Sequence, residues 1–451
     1  MDTTICAIST AVGTGAISII RVSGKEAISI VNSVFSGVDL TKVNTHTIHY
    51  GFIVEEDNKI DEVLITLMKS PKTYTTEDTV EINCHGGIST TNKVLEILLN
   101  KGCKLAEPGE FTKRAFLNGR IDLLKAEAIS DLINSETEKA RKLAINQIEG
   151  KLSKKIEYIR KNLIQIQASI EVNIDYPEYD DIEVITNQNL IPNLNKILFD
   201  LNELIFESEN GRIIKNGIDV VILGKPNVGK SSILNTLLEE EKAIVTNIPG
   251  TTRDIIEGKI NLNGILLNVI DTAGLRQTSD FVEKIGVQKS INVSEKADLI
   301  IYVIDNTTAN LAGDIKKITN LNNKKLIIFI NKDDMSSKNK YDKFNKYNVV
   351  MGNTISTNGL DKLKNKIVEM FNIKYLDTKD FSYLSSARQI SLAKKAKNAI
   401  ENAINNLNEG ISIDMVTIDI KECYETLGEI IGAVYQDDLI DELFSRFCLG
   451  K

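Results

Sequence analysis

The sequence predicts a multidomain α/β and α chain: an N-terminal α+β domain, a helical domain in two pieces, and a parallel-sheet α/β domain inserted between those pieces. Three observations predict it. Short β-rich runs interleave with two helical patterns over residues 1–118. Amphipathic helical periodicity fills 119–213 and returns over 377–451. Between them, over 214–376, apolar strand patterns alternate with helical ones, as a parallel sheet requires. The predicted domains are therefore 1–118, 119–213, 214–376 and 377–451.

Bulk properties narrow the class. A chain of 451 residues allows two to four domains, and 42% hydrophobic with 26% charged residues is ordinary for a globular protein. No run of about 18 apolar residues is present, so no transmembrane helix is predicted. The first residues, Met1-Asp2-Thr3-Thr4-Ile5, lack the basic and apolar stretches of a signal peptide. The cysteines (Cys6, Cys84, Cys103, Cys423 and Cys448) are odd in number and form no C-x-x-C pair. That argues against a disulfide framework or zinc site and fits a cytoplasmic location. A net charge of −8 gives no global attraction to nucleic acid.

In chain order, the predicted strands of the first domain are Thr4–Ser9, Ala16–Val22, Thr45–Val54, Val63–Met68 and Val80–Cys84, with helices at Lys25–Val34 and Thr91–Lys101. Arg21, Glu81 and His85-Gly86-Gly87 stand near strand ends, and from the residues alone they read as surface charge and a turn. Apolar residues from Leu143 to Ile170 recur every three or four positions and predict one long amphipathic helix. Its charges, Lys151, Lys154, Lys155, Arg160 and Lys161, read first as a solvated face, with an RNA-facing patch as the second reading. A second helix, Leu190 to Glu209, is predicted to end at Asn210-Gly211. Beyond the inserted domain, Leu392 to Leu407 and Ile418 to Ile431 are helical again. The ending Cys448-Leu449-Gly450-Lys451 does not fit a C-a-a-X prenylation signal.

The inserted domain carries the chemistry. Gly224-Lys225-Pro226-Asn227-Val228-Gly229-Lys230-Ser231 reads G-x-x-x-x-G-K-S between a strand (Asp219–Leu223) and a helix (from Ser232). Such a loop aims backbone N–H groups and a helix dipole at a phosphate, with Lys230 on the outer phosphates and the Ser231 hydroxyl on magnesium. Asp271-Thr272-Ala273-Gly274 ends the strand Ile265–Ile270, where an Asp serves magnesium and a Gly admits a γ-phosphate. Pro249-Gly250-Thr251-Thr252-Arg253-Asp254 reads as a mobile switch, preceded by Thr246-Asn247-Ile248. Asn331-Lys332-Asp333-Asp334 follows the strand Leu326–Ile330. In this N-K-x-D pattern Asp334 accepts from guanine N1 and the 2-amino group, which adenine lacks. Four such motifs in order predict a guanine-nucleotide switch of the Ras-like P-loop class.

Over nearly its full length the chain resembles the MnmE (TrmE) family of tRNA-modifying GTPases. The resemblance rests on Asp2-Thr3, Arg21-Val22-Ser23-Gly24, Glu77-Asp78, Glu81 and His85-Gly86-Gly87. It continues through Pro108-Gly109-Glu110-Phe111, Arg114 to Asn118, Ala126 to Ile129, Asp131-Leu132-Ile133, the nucleotide motifs and the C-terminal Cys448-Leu449-Gly450-Lys451. It implies a homodimer joined through N-terminal domains that bind a 5,10-methylene- or 5-formyl-tetrahydrofolate. It also implies a flavoprotein partner, MnmG, in a heterotetramer that installs an aminomethyl-type group at carbon 5 of the wobble uridine of certain tRNAs. By motif position Arg21, Glu81, Arg120 and Lys451 line the folate site. Leu275 stands where Ras-like switches carry a water-orienting Gln. The resemblance assigns that catalytic task to Glu283, acting through a bridging water. It further implies K+ held by Asn227, Thr246, Ile248 and Thr251, and Mg2+ held by Ser231 and Thr252. GTP or GDP is then bound by Asn227, Val228, Gly229, Lys230, Ser231, Ser232, Thr246, Asn247, Ile248, Pro249, Gly250, Thr251, Thr252, Asp271, Thr272, Ala273, Gly274, Asn331, Lys332, Asp333 and Asp334. The chain departs from the family in a shortened base loop, Ile355 to Leu360, and in Thr10-Ala11-Val12-Gly13-Thr14-Gly15. The competing reading is a GTPase that assembles ribosomes or binds membranes without modification chemistry; the N-terminal motifs and the C-terminal cysteine motif discriminate against it.

Overall fold

The computed structural model describes residues 3–175, 187–240, 256–270, 297–308, 310–321, 324–335, 341–373, 383–435 and 437–450. The chain divides into two compact units, one of residues 1–130, 148–198 and 392–451, the other of 131–147 and 199–391.

The first unit is built on a seven-stranded sheet. Its strands are β1 (Ile5–Ile8), β2 (Ile17–Ser23), β3 (Phe35–Ser36), β4 (Thr47–Glu55), β5 (Asn58–Met68), β6 (Thr79–His85) and β7 (Lys104–Leu105), in the order β3-β4-β5-β6-β2-β1-β7. All pairings are antiparallel except β1 with β7. Helices α1 (Ala27–Val34) and α2 (Ile88–Asn100) put Val31, Val94 and Leu98 onto Ile20, Val22, Ile65, Val80 and Ile82 of the sheet. Period-two alternation buries one face of each central strand, and burial of this kind stabilises by about 25 cal/mol per Å². On β4 and β5 the opposite face stays apolar and open: Ile48 is 66%, Tyr50 59% and Leu64 47% exposed, with Tyr50 directly opposite Leu64. Helices α3 (Glu110–Leu117), α4 (Leu123–Ile133) and the C-terminal Asp437–Ser445 share a second cluster of Phe116, Leu123, Ala126, Ile440 and Phe444.

The helical segments correct the sequence reading twice. The predicted single helix through Leu143–Ile170 is two, α5 (Glu138–Ile148) and α6 (Lys151–Asp175), separated at Gly150 with φ 79°. Ile148 and Leu152 keep a spacing of four across the break, so the apolar period alone does not reveal it. Conversely, α7 (Asn187–Asn216) runs straight through Asn210-Gly211 and stops only at Gly217, φ 82°. Gly211 serves packing: a Cβ there would lie 2.5 Å from the Leu384 carbonyl oxygen.

The second unit holds a six-stranded sheet of β8 (Ile218–Gly224), β9 (Ile256–Leu262), β10 (Ile265–Ile270), β11 (Leu299–Asp305), β12 (Leu326–Asn331) and β13 (Asn348–Met351). Their order is β13-β12-β11-β8-β10-β9, and every pair is parallel except β9 with β10. Strands β11 and β12 are buried along their whole length, as a sheet covered on both faces requires. The chain leaves β8 toward β10 on one side and returns as β11 on the other. The carboxyl ends of β8 and β11 therefore flank a topological switch point, the place where open α/β sheets bind ligands. No helix among the described residues is long and apolar enough to cross a membrane.

Candidate functional site: a phosphate loop and a sheet-face cleft

The loop after β8 turns into α8 (Lys230–Glu240). Two of its residues take the left-handed backbone, Asn227 at φ 63° and Gly229 at φ 99°. At Gly229 no side chain fits, because a Cβ would lie 2.2 Å from Asn331 Nδ2. That amide instead donates to the Val228 carbonyl at 2.9 Å, tying the end of β12 to the phosphate loop. Val228 has its side chain in the core, so it serves a ligand only through its backbone. Lys230 Nζ donates to the carbonyls of Gly224 (3.0 Å) and Lys225 (2.8 Å). An ammonium has three donors, so these two bonds aim the third outward. Burial, and secondarily the charge of Lys317, lower the Lys230 pKa, which favours a site that gains an anion. Asn227, Ser231 and Ser232 lie on the exposed rim.

The N-K-x-D segment sits on the same sheet edge. Lys332, at φ 63°, pairs with Asp305 Oδ2 at 2.5 Å. Burial opposes the Asp305 charge, but bonds from Lys332 and from the Thr307 hydroxyl and N–H outweigh it and hold its pKa below the usual range. Asn306, the next residue, donates through Nδ2 to the Lys332 (3.3 Å) and Met335 (2.8 Å) carbonyls. Asp333 Oδ1 accepts from Asn353 Nδ2 at 2.6 Å, while Asn353 Oδ1 accepts from the N–H groups of Ile355 and Ser356. Asp334 is exposed. Sequence reasoning missed Asp305, Asn306 and Asn353. Only Asn353 left a signal, an Asn opening a turn whose backbone it can bond. Of the other residues that the sequence assigns to the nucleotide site, Thr246, Asn247, Ile248, Pro249, Gly250, Thr251, Thr252, Asp271, Thr272, Ala273, Gly274 and Glu283 lie outside the described residues.

The first unit brings together three of the four residues that the resemblance implies for folate. Arg21 and Glu81 face each other across β2 and β6, and Glu81 Oε1 accepts from Arg21 Nε and Nη2, both at 2.9 Å. The Arg21 guanidinium lies 5.5 Å from the Tyr74 ring centre and 5.6 Å from that of Phe111, and Arg120 lies 5.0 Å from Tyr74. Arg120 also donates to the Tyr74 carbonyl at 2.9 Å. Tyr74 and Arg120, but neither Arg21 nor Glu81, also line an open cleft of about 580 Å³ with Thr73 and Asn118 among others. Lys451 lies outside the described residues, but its neighbour Gly450 accepts from Ser9 Oγ (3.0 Å) and Arg21 Nη1 (3.5 Å). Gly450 has φ 86°, and a Cβ there would lie 2.2 Å from the Ile8 carbonyl oxygen. The C-terminal segment thus docks on β1 beside Arg21. Tyr74 and Ser9 were not singled out from sequence, and Phe111 only as part of the Pro108–Phe111 motif, since nothing local marks an aromatic that will stack on a distant arginine.

A buried polar cluster supports this cleft. Arg114 is 1% exposed, and its guanidinium donates to Glu77, to Glu110 and to the Thr3 carbonyl. Glu77 also accepts from Ser23 Oγ at 2.9 Å.

Residues 4–120 match the model described as the GTP-binding protein TrmE N-terminus, and residues 123–448 match that of the MnmE helical domain. The tRNA modification GTPase MnmE of Bacillus cytotoxicus is 47% identical over 454 residues, 99% of each chain. That of Bacillus subtilis is 46% identical over 460 residues, all of both chains. Among solved structures, the G domain of the T. maritima FeoB iron transporter aligns at 30% identity over 34% of this chain and 97% of that one, with a TM-score of 0.26, too low to bear on the fold. Family models that together span residues 4–448, and relatives nearly half identical from end to end, establish that the chain belongs to the MnmE family of tRNA modification GTPases.

Proposed function

We propose that this chain binds GTP and GDP with Mg2+ at the carboxyl edge of the six-stranded sheet, and hydrolyses GTP in the service of tRNA modification. The observation that carries the reading is the convergence of three strand ends there. The phosphate loop after β8, the Asp305-Asn306 pair after β11 and Asn331–Asp334 after β12 are bonded to one another. Their donors suit the ligand: backbone N–H groups and Lys230 for phosphates, and exposed carboxylate at Asp334 for the guanine edge. Ser231 and Thr252 hold magnesium in this reading, and Asn227, Thr246, Ile248 and Thr251 hold potassium. Glu283 orients the attacking water.

The sheet-face cleft is the proposed tetrahydrofolate site. Glu81 offers a carboxylate to pterin N–H donors, Tyr74 offers a flat face, and Arg120 with Lys451 suits an acidic tail. When bound, the folate would supply the one-carbon unit that, with the flavoprotein MnmG, becomes the methylene carbon of the aminomethyl-type group on the wobble uridine, the nitrogen coming from a separate amine donor. The open apolar face of β4 and β5 at Ile48, Tyr50 and Leu64 supports a homodimer through the N-terminal domains, since such patches mark interfaces. The domain limits proposed are those read from sequence, 1–118, 119–213, 214–376 and 377–451, and the location proposed is the cytoplasm.

The test is mass spectrometry of wobble-uridine nucleosides from cells with and without the gene. Loss of the aminomethyl-type nucleoside, restored by the wild-type chain but not by Asp271→Asn, is the expected result. An unchanged profile leaves the assembly-factor reading in its place. Glu283→Ala is expected to keep GTP binding within a few-fold while strongly reducing hydrolysis, and hydrolysis is expected to run faster in potassium than in sodium.

A further inference from the structure

Lys225, the second residue of the phosphate loop, has no role in the motif. Its Nζ donates to Asp314 Oδ2 at 2.7 Å and to the Asn310 carbonyl at 3.2 Å. Asp314 lies on the helix Ala312–Asn320 and its side chain is only 3% exposed. Its other oxygen accepts from the Tyr302 hydroxyl at 3.0 Å. Tyr302 is 1% exposed on β11, paired in register with Leu223 of β8, one residue before the loop begins. Burial first, and the Asp314 charge second, raise the Tyr302 pKa, so the phenol keeps its proton and acts as donor.

A buried carboxylate is tolerated only where its oxygens are satisfied, and here both are held from opposite sides. The anchor therefore fixes the tip of the Lys225 side chain. At its other end, the Lys225 carbonyl is one of the two acceptors that aim Lys230. A phosphate loop is a chain of peptide dipoles, and a misplacement of an ångström in such a site costs on the order of a hundredfold. An exposed Lys–Asp pair would do little of this, since solvent screens it; burial of the Asp314 side chain makes the difference.

We propose that Asp314 is a positioning residue for nucleotide binding: with Tyr302 it anchors Lys225, and the anchored Lys225 carbonyl aims Lys230 at the phosphates. The proposal rests on the reading of this loop as the GTP site, and goes beyond the motif residues. Calorimetric titration of the full chain with GDP, well below each variant's unfolding temperature, tests it. Asp314→Asn and Lys225→Met are each expected to weaken GDP binding about tenfold. The double variant is expected to be no worse than either single one, because both break the same chain of contacts. Lys225→Arg, which keeps the charge, is expected to fall between, and Tyr302→Phe, which removes one donor at constant shape, to lose about two- to threefold. A lowered unfolding temperature with unchanged GDP affinity would make Asp314 merely structural and overturn the proposal, as would additive losses. Should Asp314→Asn fail to fold, Lys225→Met and Tyr302→Phe decide alone. Absence of GDP binding by the wild-type chain sinks the site reading and the tether with it, whereas wild-type binding with unaffected variants sinks the tether only.

Discussion

The two proposed sites of this molecule are made in different ways. At the six-stranded sheet the proposed phosphate-facing part is set by one short loop, with Asn227 and Gly229 in left-handed conformations and two loop carbonyls bonded to Lys230, and residues from the ends of β11 and β12 complete it. On the seven-stranded sheet the groups are side chains gathered from afar. Arg21 meets Glu81 sixty positions away and Gly450 more than four hundred away. A backbone site is written in a short motif because its requirement is local geometry. A side-chain site is written in strand register and in a docked tail, which no short stretch of sequence carries.

That contrast can be broken by substitutions confined to one site. The largest expected effect on ligand binding is that of Gly229→Ala. A left-handed alanine with its Cβ against Asn331 Nδ2 forces the loop to shift, and GDP affinity is expected to fall by about a hundredfold or more in calorimetry. Folate affinity is expected to stay within twofold. Next is Arg114→Met in the first unit. Removing a buried guanidinium leaves Glu77 and Glu110 uncompensated, and chemical denaturation is expected to show a loss of about 3–5 kcal/mol in the transition of that unit. Its contrast lies in the nucleotide site, whose GDP affinity should remain unchanged.

A smaller effect is expected for Asp305→Asn. Because the folded pKa of Asp305 is depressed, its contribution to stability is present above the unfolded value and is lost as pH falls through the folded one. Wild type should therefore exceed the variant in unfolding temperature at neutral pH, and the gap should close on acidification below the ordinary aspartate value of 3.8. A gap independent of pH would mean that the carboxylate charge is not what Lys332 reads.

The same division explains what could be read from the chain. The strand before the phosphate loop, the strand Ile265–Ile270 and the strand before Asn331 were legible because largely buried strands are near-continuous apolar runs, here ending at the motif residues Gly224, Asp271 and Asn331. Helix ends were not, since Gly150 breaks a helix without breaking its apolar period, and Gly211 interrupts the composition without breaking the helix. Arg21 and Glu81 looked like surface charge by themselves. They became a site only through the cross-strand register that pairs them and the Tyr74 and Phe111 rings that flank Arg21. The resemblance alone implies Lys451 for that site; the structure adds only that the neighbouring Gly450 sits against the Ile8 carbonyl.

The most direct measurement is a crossed calorimetric titration of the full chain with GDP and with 5-formyl-tetrahydrofolate, on wild type, Gly229→Ala and Gly450→Ala. Two sites built independently require each variant to lose one ligand and keep the other: Gly229→Ala should lose GDP alone, and Gly450→Ala should lose the folate alone. If either variant loses both ligands, or if Gly450→Ala binds the folate as wild type does, the assignment of a local site and a long-range site to these two sheets is wrong.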